Sequence, residues 1–197
     1  MEQEAFEKFV QAGKIASEVR EASKNIAKDG ALLYDIAEQL EKMMIKKGGF
    51  PAFPVNLSLN NLAAHYTPSK NDKTVFRKED VLKIDLGVHV DGYVSDTAYT
   101  ISFSDANTDL LKASKEALDS ALELCKPGKK LADVSGAIED AIRNYNFKPI
   151  SNLSGHGVGR YVLHKRPGIP NVRFNSDYVL KENEIFAVEP FATDGEG

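Results

Sequence analysis

Residues 81–97 constrain this chain more than any other stretch. Apolar residues alternate through Leu82, Ile84, Leu86, Val88 and Val90, the pattern of a strand with one buried face. Asp91-Gly92 then marks a type I′ hairpin turn, whose two central positions both need φ > 0. The register follows: Val90 falls opposite Tyr93, and Asp85 falls opposite Ala98. Asp96 becomes the diagonal neighbour of Asp85 on the same face, roughly 7–8 Å away through the backbone. Two carboxylates so placed repel unless a cation or a proton lies between them. Aspartates on a solvated hairpin face are the ordinary alternative. Against it, Asp85 interrupts the run between Ile84 and Leu86, where Asp is a poor strand former.

An internal repeat appears at an offset of 98 residues. Gly30 matches Gly128, Leu33 matches Leu131 and Asp35 matches Asp133. Ile36 pairs with Val134, Leu40 with Ile138, Glu41 with Glu139 and Met44 with Ile142. These matches keep phase with an apolar helical face; chance similarity of two helices opened by a Gly turn is the bland alternative. His65 lands within one residue of His164, and Val81–Asp85 aligns on Ile185–Glu189 after a six-residue insertion. Both of those strands follow a charged turn and end in a carboxylate. Two copies packed about a pseudo-twofold would bring Asp85 and Glu189 together, flanked by His65 and His164. The first copy has a returning strand bearing Asp96, whereas the chain stops eight residues after Glu189. By the repeat's logic, a carboxylate-bearing strand is missing from the second copy.

The remaining elements follow from period and punctuation. Phe6, Phe9, Val10, Gly13, Ala16 and Val19 stripe a helix over 3–28, and a second helix runs from about Leu32 to Lys47. Residues 50–73, with three prolines, read as irregular. Helices over about 107–125 and 131–145 flank Lys126-Pro127-Gly128. The tail reads as strand pieces at 152–164, 170–174 and 184–189.

Gly155-His156-Gly157-Val158-Gly159 frames a histidine with glycines. Missing Cβ atoms let a ligand or another strand approach the backbone closely. The imidazole could then bind a metal through one nitrogen while a partner fixes the other. A Gly-rich turn with a surface histidine is the competing reading. Three carboxylates and one imidazole suit divalent Mn, Fe, Co or Zn. His65 and His164 read as hydrogen-bond donors to a substrate rather than as ligands. His89 reads as a strand residue on the site-side face.

Composition excludes several classes. A net charge of −4, with lysines scattered among glutamates, leaves no footprint for specific nucleic-acid binding. The single cysteine, Cys125, rules out a disulfide framework and a thiolate site, and reads as a core residue. No apolar run approaches membrane-spanning length, and Met1-Glu2-Gln3-Glu4 is acidic where a signal peptide is basic. A soluble cytoplasmic protein is expected.

The motifs together closely resemble the type II methionine aminopeptidase family. They are Ala63-Ala64-His65-Tyr66-Thr67-Pro68, Lys83–Gly92, Asp96-Thr97, Asn152–Gly157, His164, Ile169-Pro170 and Glu189-Pro190-Phe191-Ala192-Thr193. The resemblance covers essentially the whole chain. It implies the pita-bread fold, an α/β architecture of two pseudo-symmetric halves, about 1–104 and 105–197, around a curved antiparallel sheet. It implies two divalent ions (Co, Mn, Fe or Zn), with Asp85 and Asp96 as ligands and Asp96 bridging, and with His156 and Glu189 on the second ion. Glu189 would also shuttle protons, His65 and His164 would contact substrate, and Phe53 and Leu163 would line a methionine pocket. The implied activity removes the initiator methionine from nascent polypeptides, by attack of a metal-bound hydroxide on the first peptide bond. The implied partners are those nascent chains and the ribosome, with the enzyme a monomer and no membrane involved. The family's fifth ligand, a late glutamate, and its type II helical insertion are absent, so a fragment with weak metal binding and little activity is expected. Two alternatives stand beside this reading. A non-enzymatic pita-bread protein binding ribosomes or nucleic acid would ordinarily lack the four ligands present here. A proline-specific relative would ordinarily carry His-Glu-x-Pro, where this chain has His164-Lys165-Arg166-Pro167.

Overall fold

The computed structural model describes residues 1–197, and the hairpin organises its first half. Strands β2 (Val81–Val90) and β3 (Tyr93–Ser102) pair antiparallel with Val90 opposite Tyr93 and Asp85 opposite Ala98. Asp91 and Gly92 carry φ of 51° and 86°, as the type I′ turn requires. The chain divides into two units, residues 1–105 with 159–163, and residues 106–158 with 164–197.

In the first unit the sheet order is β1-β2-β3, with β1 spanning Phe50–Leu59. Helices α1 (Gln3–Ile26) and α2 (Leu33–Lys46) pack on the face that carries Leu82, Ile84, Leu86, Val88 and Val90. Each large aliphatic side chain buried there contributes about 1.5–3 kcal/mol. The stripe expected on α1 needs correction. Its buried face is Ala12, Ile15, Ala16, Val19 and Ser23, while Phe6 and Val10 are exposed. Only the later turns of α1 lie over the core, and Phe9 instead sets its ring edge-on to Tyr93 at 5.1 Å.

Strand β1 also departs from the expected irregular segment. Prolines are tolerated on an edge strand or at a bulge, and β1 uses both: it is an edge, with register shifts between Pro51 and Asn56. The N–H of Val55, in the shifted stretch, donates to Glu41 Oε1 at 3.0 Å.

The second unit contains α3 (Thr108–Leu124), α4 (Leu131–Asn144) and short strands β4 (Lys148–Pro149), β5 (Ser154–Gly159), β6 (Val162–Pro170), β7 (Phe186–Ala187) and β8 (Ala192–Thr193). β5 lies between β6 and β7, and β4 pairs with β8. Its core collects Ala117, Ala121, Leu131, Val134, Ile138, Ile142, Ile169 and Leu180. Cys125 caps α3 half-buried, and burial pushes its thiol up.

The repeat is written in hydrogen bonds. Gly30 N–H donates to Phe76 O at 2.8 Å, and Gly128 N–H donates to Leu180 O at 2.9 Å. Leu33 N–H donates to Thr74 O at 3.0 Å, and Leu131 N–H to Tyr178 O at 2.9 Å. The donors differ by 98 positions and the acceptors by 104, reproducing the six-residue insertion. Each charged turn closes the same way. Arg77 N–H donates to Asp80 Oδ2, and Lys181 N–H donates to Glu184 Oε2, both at 2.9 Å.

Candidate functional site

The hairpin's second face carries the polar chemistry of the first unit. Opposed residues share a face, so Asp85 lies with Asn56 and Ala98, and Gly87 with Phe53 and Asp96. Both aspartates are partly buried. Gly87 is needed where it stands: a Cβ there would come within 2.3 Å of the Phe53 ring, which covers that position. Two residues before Asp85, Lys83 is pushed down to about 8 by burial, and its ammonium donates to Asn60 O at 2.8 Å. His65 is exposed in the loop after β1, with φ at 65°. The nearby carboxyl of Asp72 accepts from the Tyr66 hydroxyl and, at 2.7 Å, from the Thr74 N–H.

At the hairpin tip lies a cavity of about 180 Å³ lined by Pro51, Ala52, His89, Gly92, Val94, Tyr161 and Leu163. Leu163 is one wall of this cavity, and Phe53 packs over Gly87 outside it. Tyr161 was not singled out from sequence. Its N–H donates to Gly92 O at 2.7 Å and its ring lies over Gly92, where a Cβ would come within 2.4 Å of it. The Arg160 guanidinium sits over both the Tyr93 and the Tyr161 rings, and Lys8 pairs with Asp91 at 2.6 Å.

In the second unit the glycine-framed histidine is held between two strands. A Cβ on Gly155 would meet Ala187 O at 2.4 Å, on the β7 side, and one on Gly157 would meet Arg166 O at 2.6 Å, on the β6 side. His156, 9% exposed, is thereby fixed in depth. Its Nδ1 lies 3.3 Å from Gly157 O. A carbonyl can only accept, so Nδ1 bears the proton and Nε2 presents a lone pair. That lone pair is 2.9 Å from Glu189 Oε1, yet this buried oxygen accepts no hydrogen bond. Two acceptors facing each other at that distance are stable only with a cation or proton between them. The pair thus fits a divalent ion of the kind carboxylate and imidazole ligands prefer. His164 is exposed and meets the His156 ring edge-on at 4.1 Å between centroids.

Comparison with known proteins places these features in context. Residues 7–197 match metallopeptidase family M24. The chain is 50% identical over 192 residues to a methionine aminopeptidase of Pyrococcus horikoshii, covering 97% of this chain and 65% of that relative. The crystal structure of a methionine aminopeptidase from Rickettsia prowazekii superposes with a TM-score of 0.92 at 26% identity, covering 100% of this chain and 82% of that one. A prolidase from Pyrococcus furiosus gives 0.84 at 26% identity, covering 96% of this chain and 56% of that one. The mixed α/β architecture with antiparallel sheets is thus the pita-bread fold. The chain spans about 65% of the length of the curated relatives it matches first.

Proposed function

Because the chain belongs to metallopeptidase family M24, we propose that it serves a metal-dependent aminopeptidase that removes methionine from the N-terminus of proteins. The relatives' activity supports the substrate, and one observation carries the metal dependence: the buried Glu189 Oε1 facing the His156 Nε2 lone pair. By the resemblance of their motifs, Asp85, Asp96, His156 and Glu189 are the ligands in this reading, for two ions in all (Co, Mn, Fe or Zn). When bound, such ions supply Lewis acidity, polarising the scissile carbonyl and making a nucleophile available at neutral pH.

The chain's own groups do the rest. Glu189 has one oxygen committed beside His156, which leaves Oε2 to take a proton and return it to the departing amine. His65 and His164, both exposed, donate hydrogen bonds to the substrate carbonyl as charge develops on it. Leu163 supplies an apolar wall for the methionine side chain.

The experiment is a peptidase assay of the full chain with Mn(II) or Co(II), offering Met-Gly-Gly and Xaa-Pro peptides. Slow methionine release from the first alone, lost in Glu189→Gln and on chelation, is expected. Cleavage confined to Xaa-Pro peptides, or metal-independent release, would overturn the reading.

A further inference from the structure

The cavity at the hairpin tip presents polar and apolar surface in about equal measure. Pro51, Ala52, Val94 and Leu163 line it together with the imidazole of His89. At about 180 Å³ it is smaller than the roughly 300–1,000 Å³ of pockets for drug-sized ligands, and suits one side chain. The imidazole is held in one orientation. Gly92 N–H donates to His89 Nδ1 at 3.2 Å, which places the ring proton on Nε2. The ring stacks on Phe50 at 5.8 Å, with 26° between planes, and meets Tyr161 at 5.9 Å. Turning it over would cost the Gly92 hydrogen bond. The result is a fixed N–H donor beside the aliphatic walls supplied by Pro51, Ala52, Val94 and Leu163.

We propose that His89 is a specificity-determining residue, whose Nε2–H contacts the side chain held in this cavity and favours a thioether over an all-carbon chain of equal length. The inference rests on the reading of Leu163 as a wall of the methionine pocket. A purely apolar pocket separates side chains by size and shape, and so treats methionine and norleucine almost alike. A thioether sulfur is a weak acceptor and is attracted to aromatic ring edges. His89 and Tyr161 offer both kinds of contact in one place.

Calorimetric binding of methionine amide and norleucine amide to the full chain tests this, with and without His89→Phe. Phenylalanine keeps a flat ring between Phe50 and Tyr161 but has neither nitrogen. The wild-type chain should prefer methionine amide by roughly two- to tenfold, from the scale of sulfur–aromatic contacts. In His89→Phe that ratio should fall to about one, with norleucine affinity retained. An unchanged ratio, or equal weakening of both ligands, would overturn the proposal, the latter marking His89 as merely structural. Nitrogen-15 NMR of the wild-type imidazole needs no variant: methionine amide should shift the Nε2 resonance and norleucine amide should not, and equal shifts would refute it. Should neither amide bind the wild-type chain, this inference falls together with the pocket reading. Methionine release with an unchanged ratio would sink this inference alone.

Discussion

Gly155 and Gly157 show how two missing methyl groups set a site. The space each Cβ would occupy already holds a backbone carbonyl of a neighbouring strand, and backbone cannot swing aside as a flexible side chain can. Gly155→Ala should therefore destabilise the chain by about 1–3 kcal/mol, the usual cost of overpacking, and weaken Mn(II) binding as Ala187 and then Glu189 are displaced. Urea denaturation paired with metal titration checks it; an unchanged affinity would mean that Glu189 is not held through this contact. Asp72 makes a different kind of residue-level prediction. Hydrogen bonds from the Thr74 and Tyr66 hydroxyls and the Thr74 N–H hold its carboxyl below the usual 3.8. A carboxyl depressed in the folded state contributes stability above the unfolded value, and that contribution is lost as pH falls through the lowered one. Asp72→Asn should flatten the acid limb of a urea-midpoint profile taken from about pH 6 to about pH 3. An equally steep limb would place the acid sensitivity elsewhere.

Among elements, the repeated Gly-turn and helix is the unit both halves use. Gly30 and Gly128 sit at φ of 85° and 88°, and a methyl group added to either would meet nothing within 4 Å. Replacing either with alanine costs only backbone strain, about 1 kcal/mol. Gly30→Ala and Gly128→Ala should thus lower stability by matching amounts in chemical denaturation. A marked inequality would show that the two turns carry different loads despite their shared hydrogen bonds. The turn and the helix phase were both legible in sequence, because each depends on residues near in the chain. Strand β1 was not legible: Pro51 and Pro54 argue against a strand until it is known to be an edge, with Val55's N–H taken up by Glu41. α1 misled in the opposite sense, since an apolar stripe cannot say how far the surface beneath it extends.

At the scale of the whole molecule, the two units have separate cores drawn from separate residues, and no helix is long and apolar enough to cross a membrane. An ion that binds only the folded chain stabilises it by mass action, about 2.7 kcal/mol at a hundredfold excess over Kd. Mn(II) should therefore raise the melting temperature of the wild-type chain reversibly, EDTA should undo the gain, and Glu189→Gln should abolish it. A metal-independent melting temperature would count against the ligand assignments. Several things could be read from the amino-acid order alone: the hairpin register, the repeat with its insertion, the family resemblance, and the candidates Asp85, Asp96, His156 and Glu189. The register rests on alternation and turn chemistry, the repeat and the candidates on residue identity and spacing along the chain, and the resemblance on the motifs themselves. Tertiary structure alone decided that the glycines beside His156 clear the way for Ala187 and Arg166, that Glu189 turns a buried oxygen toward an imidazole lone pair, and that Phe53 covers Gly87. It also made the hairpin's His89 part of a cavity wall, beside residues some 40 to 70 positions away in the chain. Packing between distant segments sets such contacts, and no periodicity along the chain encodes which segment will arrive.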